Sequence, residues 1–291
     1  MLTQYAQERK PLTMIRFLVD SSSDYTLEEI KEKNLALVPI AITLDDTTYL
    51  DVQELERGHF YELLLSNKNF PQTSQPSPQA FLEKFLEAKE NGDELICVLL
   101  SSGLSGTCQS AHLAKNMADY DNIHIIDSLA ATHIIRLMVD YGMKLKENGL
   151  SAFEIVASLE ALKPRICVVA GVDTLEYLYK GGRLSKASAT IGELANLKPM
   201  LTLKQDGTLA VIGKCIGRNK AIQFITKYAQ DHMIDTLFPM YSIYSVGTEN
   251  CEKLEEKLVS LGYTIDERCQ IGSTIGAHLG TGAFGIIYVE K

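Results

Sequence analysis

The chain has 291 residues, 46% of them hydrophobic and 22% charged, with a formal net charge of −9 from 28 basic and 37 acidic side chains. That length suits two packed cores, and the ordinary apolar content excludes a disordered chain. The acidic balance argues against a nucleic-acid partner, which needs a basic footprint to neutralise phosphates.

Six cysteines stand at 97, 108, 167, 215, 251 and 269. No two have the two-to-four spacing of a zinc site, so no metal is expected and the thiols read as reduced and buried. The first residues, MLTQYAQERK, contain no apolar segment, and no run approaches the roughly 20 apolar residues of a membrane span. A soluble cytoplasmic protein without stable membrane insertion is the expectation.

Met14 to Asp20 reads as a buried strand followed by the polar turn SSSD, with Thr26 as N-cap of a helix. Leu35 to Leu44 is a second strand with a hairpin turn at Asp45-Asp46. Short helices are predicted over Phe60 to Leu65 and, capped by Ser77, over Phe81 to Lys89. Glu94 to Leu100 is a continuous apolar strand running into SSGLSGT, with a helix from Cys108. Ile123 to Ile126 is a strand, and helices follow over Ile134 to Lys146 and Ser151 to Leu162. This alternation predicts a mostly parallel sheet flanked by helices, with ligands in the loops after strands: 21–24, 101–107 and 127–128.

From about Lys163 the pattern changes. Ile166 to Val172 is a strand. Met200 to Leu203 and Thr208 to Gly213 form a hairpin about Gln205-Asp206-Gly207. Helices over Asn219 to Asp231 and Cys251 to Leu261 alternate with strands over Met240 to Val246 and Gly285 to Val289. The fold expected is α/β in two domains. An N-terminal α/β domain spans 14–164, and a C-terminal α+β domain with a mixed or antiparallel sheet spans 165–291, with room for the segments to interleave.

Four segments could carry chemistry. Pro71-Gln-Thr-Ser-Gln-Pro-Ser77 offers three hydroxyls in a proline-stiffened loop, or simply a cap for the next helix. Ser101-Ser-Gly-Leu-Ser-Gly-Thr107 joins a buried strand to a helix start, where amides favour an anion. It lacks the spacing of a serine nucleophile elbow, because Thr107 stands where Gly is needed. Ile275-Gly-Ala-His-Leu-Gly-Thr-Gly282 sets one histidine among glycines. Tyr177-Leu-Tyr-Lys-Gly-Gly-Arg-Leu-Ser-Lys186 is the compact basic cluster, without P-loop spacing, and reads either as a solvated loop or as a site for phosphate or a partner's carboxylates.

In this order, and together with Asp20-Ser-Ser-Ser-Asp24, Ile191-Gly192 and Leu197-Lys-Pro199, these segments resemble the DegV family of bacterial fatty-acid-binding proteins, from about Arg16 to Tyr288. The resemblance implies a long-chain fatty acid in an apolar tunnel, no cofactor and no catalytic residue. Thr73 and Ser105 would hold the carboxylate with help from His278, supported by Ser74, Gly103, Gly106 and Gly280. It also implies a separate fatty acid kinase subunit that phosphorylates the bound acid for phospholipid synthesis, with Lys180, Arg183, Lys186 and Arg218 as docking charges.

Three departures from the family pattern stand out. His278-Leu-Gly-Thr-Gly282 replaces His-Thr-Gly-Pro-Gly. His133, Ile134 and Arg136 follow Asp127-Ser128 where small residues are usual, which would reshape or shorten the tunnel. Ile216 replaces the arginine implicated in engaging the kinase, leaving Arg218 as the substitute. Two other readings stay open: a lipid-responsive sensor without a kinase, and a serine hydrolase using Ser105, His278 and Asp127.

Overall fold

A computed structural model describes residues 14–67, 69–184 and 196–291. Lys186 and the Ile191-Gly192 pair lie outside them. The first sheet is parallel, in the order β2-β1-β6-β7, from Ala36–Val38, Ile15–Asp20, Glu94–Leu99 and Ile123–Asp127. Its strands alternate strictly. Phe17, Val19, Ile96 and Val98 face the helices α5 (His133–Glu147) and α6 (Ala152–Leu162) through Ile135, Met138, Val139, Ile155 and Leu159. Leu18, Cys97 and Leu99 face α3 (Pro78–Asn91) and α4 (Thr107–Ala118) through Phe81, Phe85, Ala111 and Ala114. Burial on both faces is what a parallel sheet requires of its strands.

The caps are local. Thr26 closes a capping box with Glu29 at the start of α1 (Leu27–Glu32), and Ser77 accepts from Ala80 N ahead of α3. The expected strand from Leu35 to Leu44 is broken in two, β2 ending at Val38 and β3 running Ala41–Leu44, with Pro39 between them. β3 turns through Asp45-Asp46 into β4 (Thr47–Leu50). It also takes β5 (Gln72–Ser74) on its other edge, so the segment expected to be a loop is a strand there.

The second sheet is mixed, in the order β10-β9-β8-β13-β11-β12 with β13 at Phe284–Val289, and among the described strands only β11 (Tyr241–Tyr244) and β12 (Glu267–Gln270) run parallel. β8 (Ile166–Gly171) lies beside β9 (Leu197–Leu203), which forms the expected hairpin with β10 (Leu209–Ile216). One face packs Val169, Met200, Phe284 and Ile286 onto helices α8 (Arg218–Gln230) and α9 (Glu249–Ser260). The opposite face, with Val168, Ala170, Leu201, Ile243 and Ile287, packs toward Ala130, Ile134 and Leu162 of the first half. A third core joins Ile42, Leu44, Phe60 of α2 (Arg57–Ser66) and Leu64 to Ala277 of α10 (Ser273–Leu279), with Tyr177 of α7 (Glu176–Lys180) packed against it. All six thiols are free; five are buried and Cys167 is half-buried. Among the described residues no helix is long and apolar enough to cross a membrane, and no cluster of three or more His, Cys, Asp or Glu side chains could hold a metal.

Candidate functional site

Parallel sheets offer their ligand crevice beyond the carboxyl ends of the strands. Here that end faces the inner surface of the second sheet, and a cavity of about 90 Å³ lies at the junction. The first half contributes Ile40, Leu100, Leu104 and Ala131, and the second sheet contributes Val168, Ala170, Leu201, Leu203, Leu209 and Ile243. Polar side chains are few among these walls: Thr73, Gln75, Ser105, Thr132, Arg183, Thr202, Thr274 and His278. Apolar walls with a small set of directed polar groups are the usual make-up of a small-molecule site.

Three of those groups come from distant segments. Thr73 sits mid-strand in β5, paired with Ile42 of β3. His278 occupies the last turn of α10, and its Nε2 lies 2.8 Å from Thr73 Oγ1. Ser105 ends the β6–α4 loop, where its Oγ accepts from Thr107 N at 3.3 Å and pairs with Thr107 Oγ1 at 2.8 Å. Gly106 is the N-cap of α4 and makes no side-chain cap, so the helix's amide end is left to the loop. Gly103 abuts Gly207 in the hairpin turn. Ser74 is exposed on β5 and does not line the cavity.

Glycine is required beside His278. A Cβ on Gly181 would sit 2.2 Å from Nδ1, so the imidazole has room only because that residue has no side chain. Gly280, at φ +74°, ends α10 against the Tyr177 ring. Burial, reinforced by the positive field of Arg183, lowers the His278 pKa to about 4. The ring is therefore neutral at physiological pH, and its Nδ1 is buried without a partner among the described residues.

Arg183 turns inward. It lines the cavity, half-buried, with Nε donating to Leu104 O at 3.0 Å and Nη1 to Gly181 O at 2.5 Å. Lys180 places Nζ 5.2 Å from the centre of the Phe70 ring, whereas Arg218 is exposed at the start of α8. Of the basic residues expected together, Lys180, Arg183 and Arg218 thus fall in different surroundings, and Lys186 lies outside the described residues. Ile216 is 69% exposed.

The residues expected to reshape the tunnel do not line it. His133 pairs through Nδ1 with Asp24 Oδ2 at 2.9 Å, and Arg136 holds Glu29 at 2.6 Å. Ile134 packs in the core between the two halves. Of this segment Ala131 and Thr132 reach the cavity wall, and Ile134 lies behind it, in the same core as Val168, Ala170 and Leu201. The hydrolase arrangement is likewise absent: His278 faces Thr73, Ser105 pairs with Thr107, and Asp127 Oδ1 accepts from the amides of Ser102 and Leu129.

Thr132, Thr202 and Thr274 were not singled out from sequence. All three line the cavity, and Thr132 and Thr274 are each held by a buried carboxylate. Thr132 Oγ1 donates to Asp24, and Thr274 Oγ1 donates to Asp51 Oδ2 at 2.6 Å. A threonine near a DS turn carries no motif, and only the fold brings either one to the wall.

Comparison with known proteins fits this picture. The model of a family described as an uncharacterised protein of the DegV family matches residues 14–291. A DegV domain-containing protein of Caldanaerobacter subterraneus subsp. tengcongensis is 36% identical over 281 residues, covering 95% of this chain and 99% of its own. Among solved structures, a fatty-acid-binding DegV family protein of Thermus thermophilus is 31% identical with a TM-score of 0.85, over 96% of this chain and all of its own. A stearic-acid-binding protein of Eubacterium ventriosum is 26% identical with a TM-score of 0.84, over 96% and 99%. The fatty acid kinase B3 protein of Streptococcus pneumoniae, solved with linoleic acid, shares the fold at 23% identity and a TM-score of 0.84, over 96% and 100%.

Proposed function

This chain belongs to the DegV family, and from that premise we propose that it binds one long-chain fatty acid and presents the carboxylate to a separate kinase. The observation that carries the reading is a cavity whose apolar walls meet the hydroxyls of Thr73 and Ser105 and the imidazole of His278. Burying an acyl tail against such walls gains about 0.8 kcal/mol per CH₂. A carboxylate leaving water needs charge-assisted hydrogen bonds in return.

The neutral imidazole supplies direction. With its proton on Nε2, His278 donates to Thr73 Oγ1 and leaves the Thr73 hydroxyl proton free for the ligand. Nδ1, without a partner among the described residues, is then a bare acceptor, which costs less than a buried N–H without an acceptor. Ser105 adds a second hydroxyl and Arg183 a positive field. No side chain here is asked to break a bond, so the protein acts as a binding subunit rather than an enzyme.

Thr73 and Ser105 are only half-buried. A carboxylate held by them lies close enough to the surface for a kinase to reach, with Lys180 and Arg218 as accessible docking charges. Extraction of purified protein followed by mass spectrometry is expected to find near-stoichiometric fatty acid. A protein that arrives empty and takes up no acid from dodecanoic to eicosanoic overturns the reading. The exposed Ile216, where the family resemblance expects arginine, favours a second reading as a lipid-responsive regulator. Absence of ATP-dependent phosphorylation of the bound acid by the host kinase would select it.

A further inference from the structure

Beneath the site, Asp51 is 1% exposed yet carries a carboxylate. It follows β4 and makes its contacts with a helix 223 residues away: Oδ2 accepts from Thr274 N at 3.2 Å and from Thr274 Oγ1 at 2.6 Å. Thr274 is the second residue of α10, whose own N-cap, Gly272, has no side chain to offer. Asp51 thus performs from another segment the capping that the helix lacks. The grip extends further. Thr274 Oγ1 lies 3.2 Å from Ser21 Oγ, which accepts from Ile40 N at 3.1 Å, while Asp51 N donates to Ile40 O at 3.0 Å. Ile40 and Thr274 both line the cavity.

The helix that Asp51 holds is short and carries His278 in its last turn, so its rotation fixes where Nε2 meets Thr73. We infer that Asp51 is a positioning residue for the ligand's head group, setting α10 so that the His278–Thr73 pair is aligned for a carboxylate. The inference rests on the fatty-acid reading of the cavity and deepens it. Asp51 touches no ligand itself. A cap that merely stabilised the fold would affect every ligand of the cavity alike, whereas a positioning residue affects the carboxylate selectively.

The test compares a fatty acid with the alcohol of the same chain, using Asp51→Asn and, as a second variant, Asp51→Ser. Asparagine keeps an acceptor oxygen but loses the charge that favours the helix amides. Both variants are expected to hold the alcohol within about threefold of wild type and to lose about tenfold for the acid, the scale of one charge-assisted hydrogen bond. The ¹⁵N resonances of the His278 ring in ligand-free protein should move away from the wild-type Nε2–H pattern in both. Equal loss of acid and alcohol, or unchanged acid affinity, overturns the inference. A wild type that binds neither ligand overturns the fatty-acid reading instead, and the ring resonances then decide the positioning role: unchanged resonances in both variants reject it.

Discussion

Thr73 Oγ1 and His278 Nε2 lie 2.8 Å apart although 205 residues separate them in the chain. One comes from an edge strand of the smallest sheet, the other from the last turn of a seven-residue helix. The hydroxyl that would meet a ligand is therefore oriented by a segment of quite different origin.

Replacing Thr73 by Val keeps the shape and removes the hydroxyl. Ser105→Ala does the same in the β6–α4 loop. Each should weaken fatty-acid binding by roughly ten- to a hundredfold, equivalent to about 1.5–3 kcal/mol for a hydrogen bond to a charged group. Calorimetric titration checks the affinity, and a thermal melt near wild type checks that the fold is intact. Unchanged affinity in both variants would put the carboxylate elsewhere.

The apolar wall gives an independent handle. Ala170 on β8 lines the cavity, and its methyl is the smallest side chain the second sheet contributes there. Ala170→Phe should exclude long-chain acids while a short acid such as octanoic acid still binds. Equal loss of both would mean that the ring had disturbed the head-group region as well.

Two buried groups should give opposite pH dependences of stability. His278 is lowered from 6.5 to about 4, so its neutral form supports the fold fully above pH 6.5, and that support is lost as pH falls toward 4. Asp51 is raised from 3.8 to about 6, mainly by burial, so its protonated form supports the fold below pH 3.8, and that support is lost as pH rises through 6. Each is worth about 3 kcal/mol over its window, and across the shared range the two nearly cancel. Urea unfolding from pH 6.5 to 4 should find Asp51→Asn losing stability relative to wild type and His278→Asn gaining it. Parallel profiles for both variants would refute the assignment.

Thr132 adopts φ +59° and ψ −151°, a region natural only to glycine, while its hydroxyl donates to Asp24. Thr132→Ala keeps the strain and loses the bond. Thr132→Gly loses the same bond but relieves the backbone. Glycine should therefore be the more stable variant by about 1–2 kcal/mol, the reverse of the usual order. Denaturant midpoints for the two decide it.

Arg218 is exposed at the start of α8, away from the cavity lining. Arg218→Ala should leave lipid affinity within about threefold, as surface changes usually do, while slowing phosphorylation of the bound acid by the host kinase. Wild-type phosphorylation in this variant would show that it has not replaced the arginine missing at Ile216. Arg183→Ala is expected to behave differently and weaken lipid binding, because Arg183 faces inward and steadies Leu104.

The large elements were legible because their signals are local. Continuous apolar runs such as Leu95 to Leu100 mark strands buried on both faces, and Thr26 and Ser77 announce the helices they cap. The pieces that bring the site together were not. Gln72–Ser74 is a three-residue stretch close to Pro71 and Pro76 and becomes a strand only because β3 offers a free edge. α10 is too short for a helical period to emerge, and its cap belongs to Asp51. Arg183 reads as a solvated loop charge because its acceptor, Leu104 O, is 79 residues distant. His133, Ile134 and Arg136 looked intrusive because sequence alone does not say which way the first turn of α5 faces.

The strand Phe284–Val289 is buried at every position and lies between β8 and β11, near the middle of the six-stranded sheet. Among the described strands it also follows both β8 and β11 in chain order. During synthesis, β8 and β11 therefore leave the ribosome with no neighbour between them, each presenting an unpaired apolar edge until residue 289 has emerged. Open edges of that kind invite pairing with other nascent chains. The cell must tolerate or chaperone a half-built sheet in every molecule it makes, and a ribosome that stalls shortly before Phe284 should release a product prone to aggregate rather than a smaller binding protein.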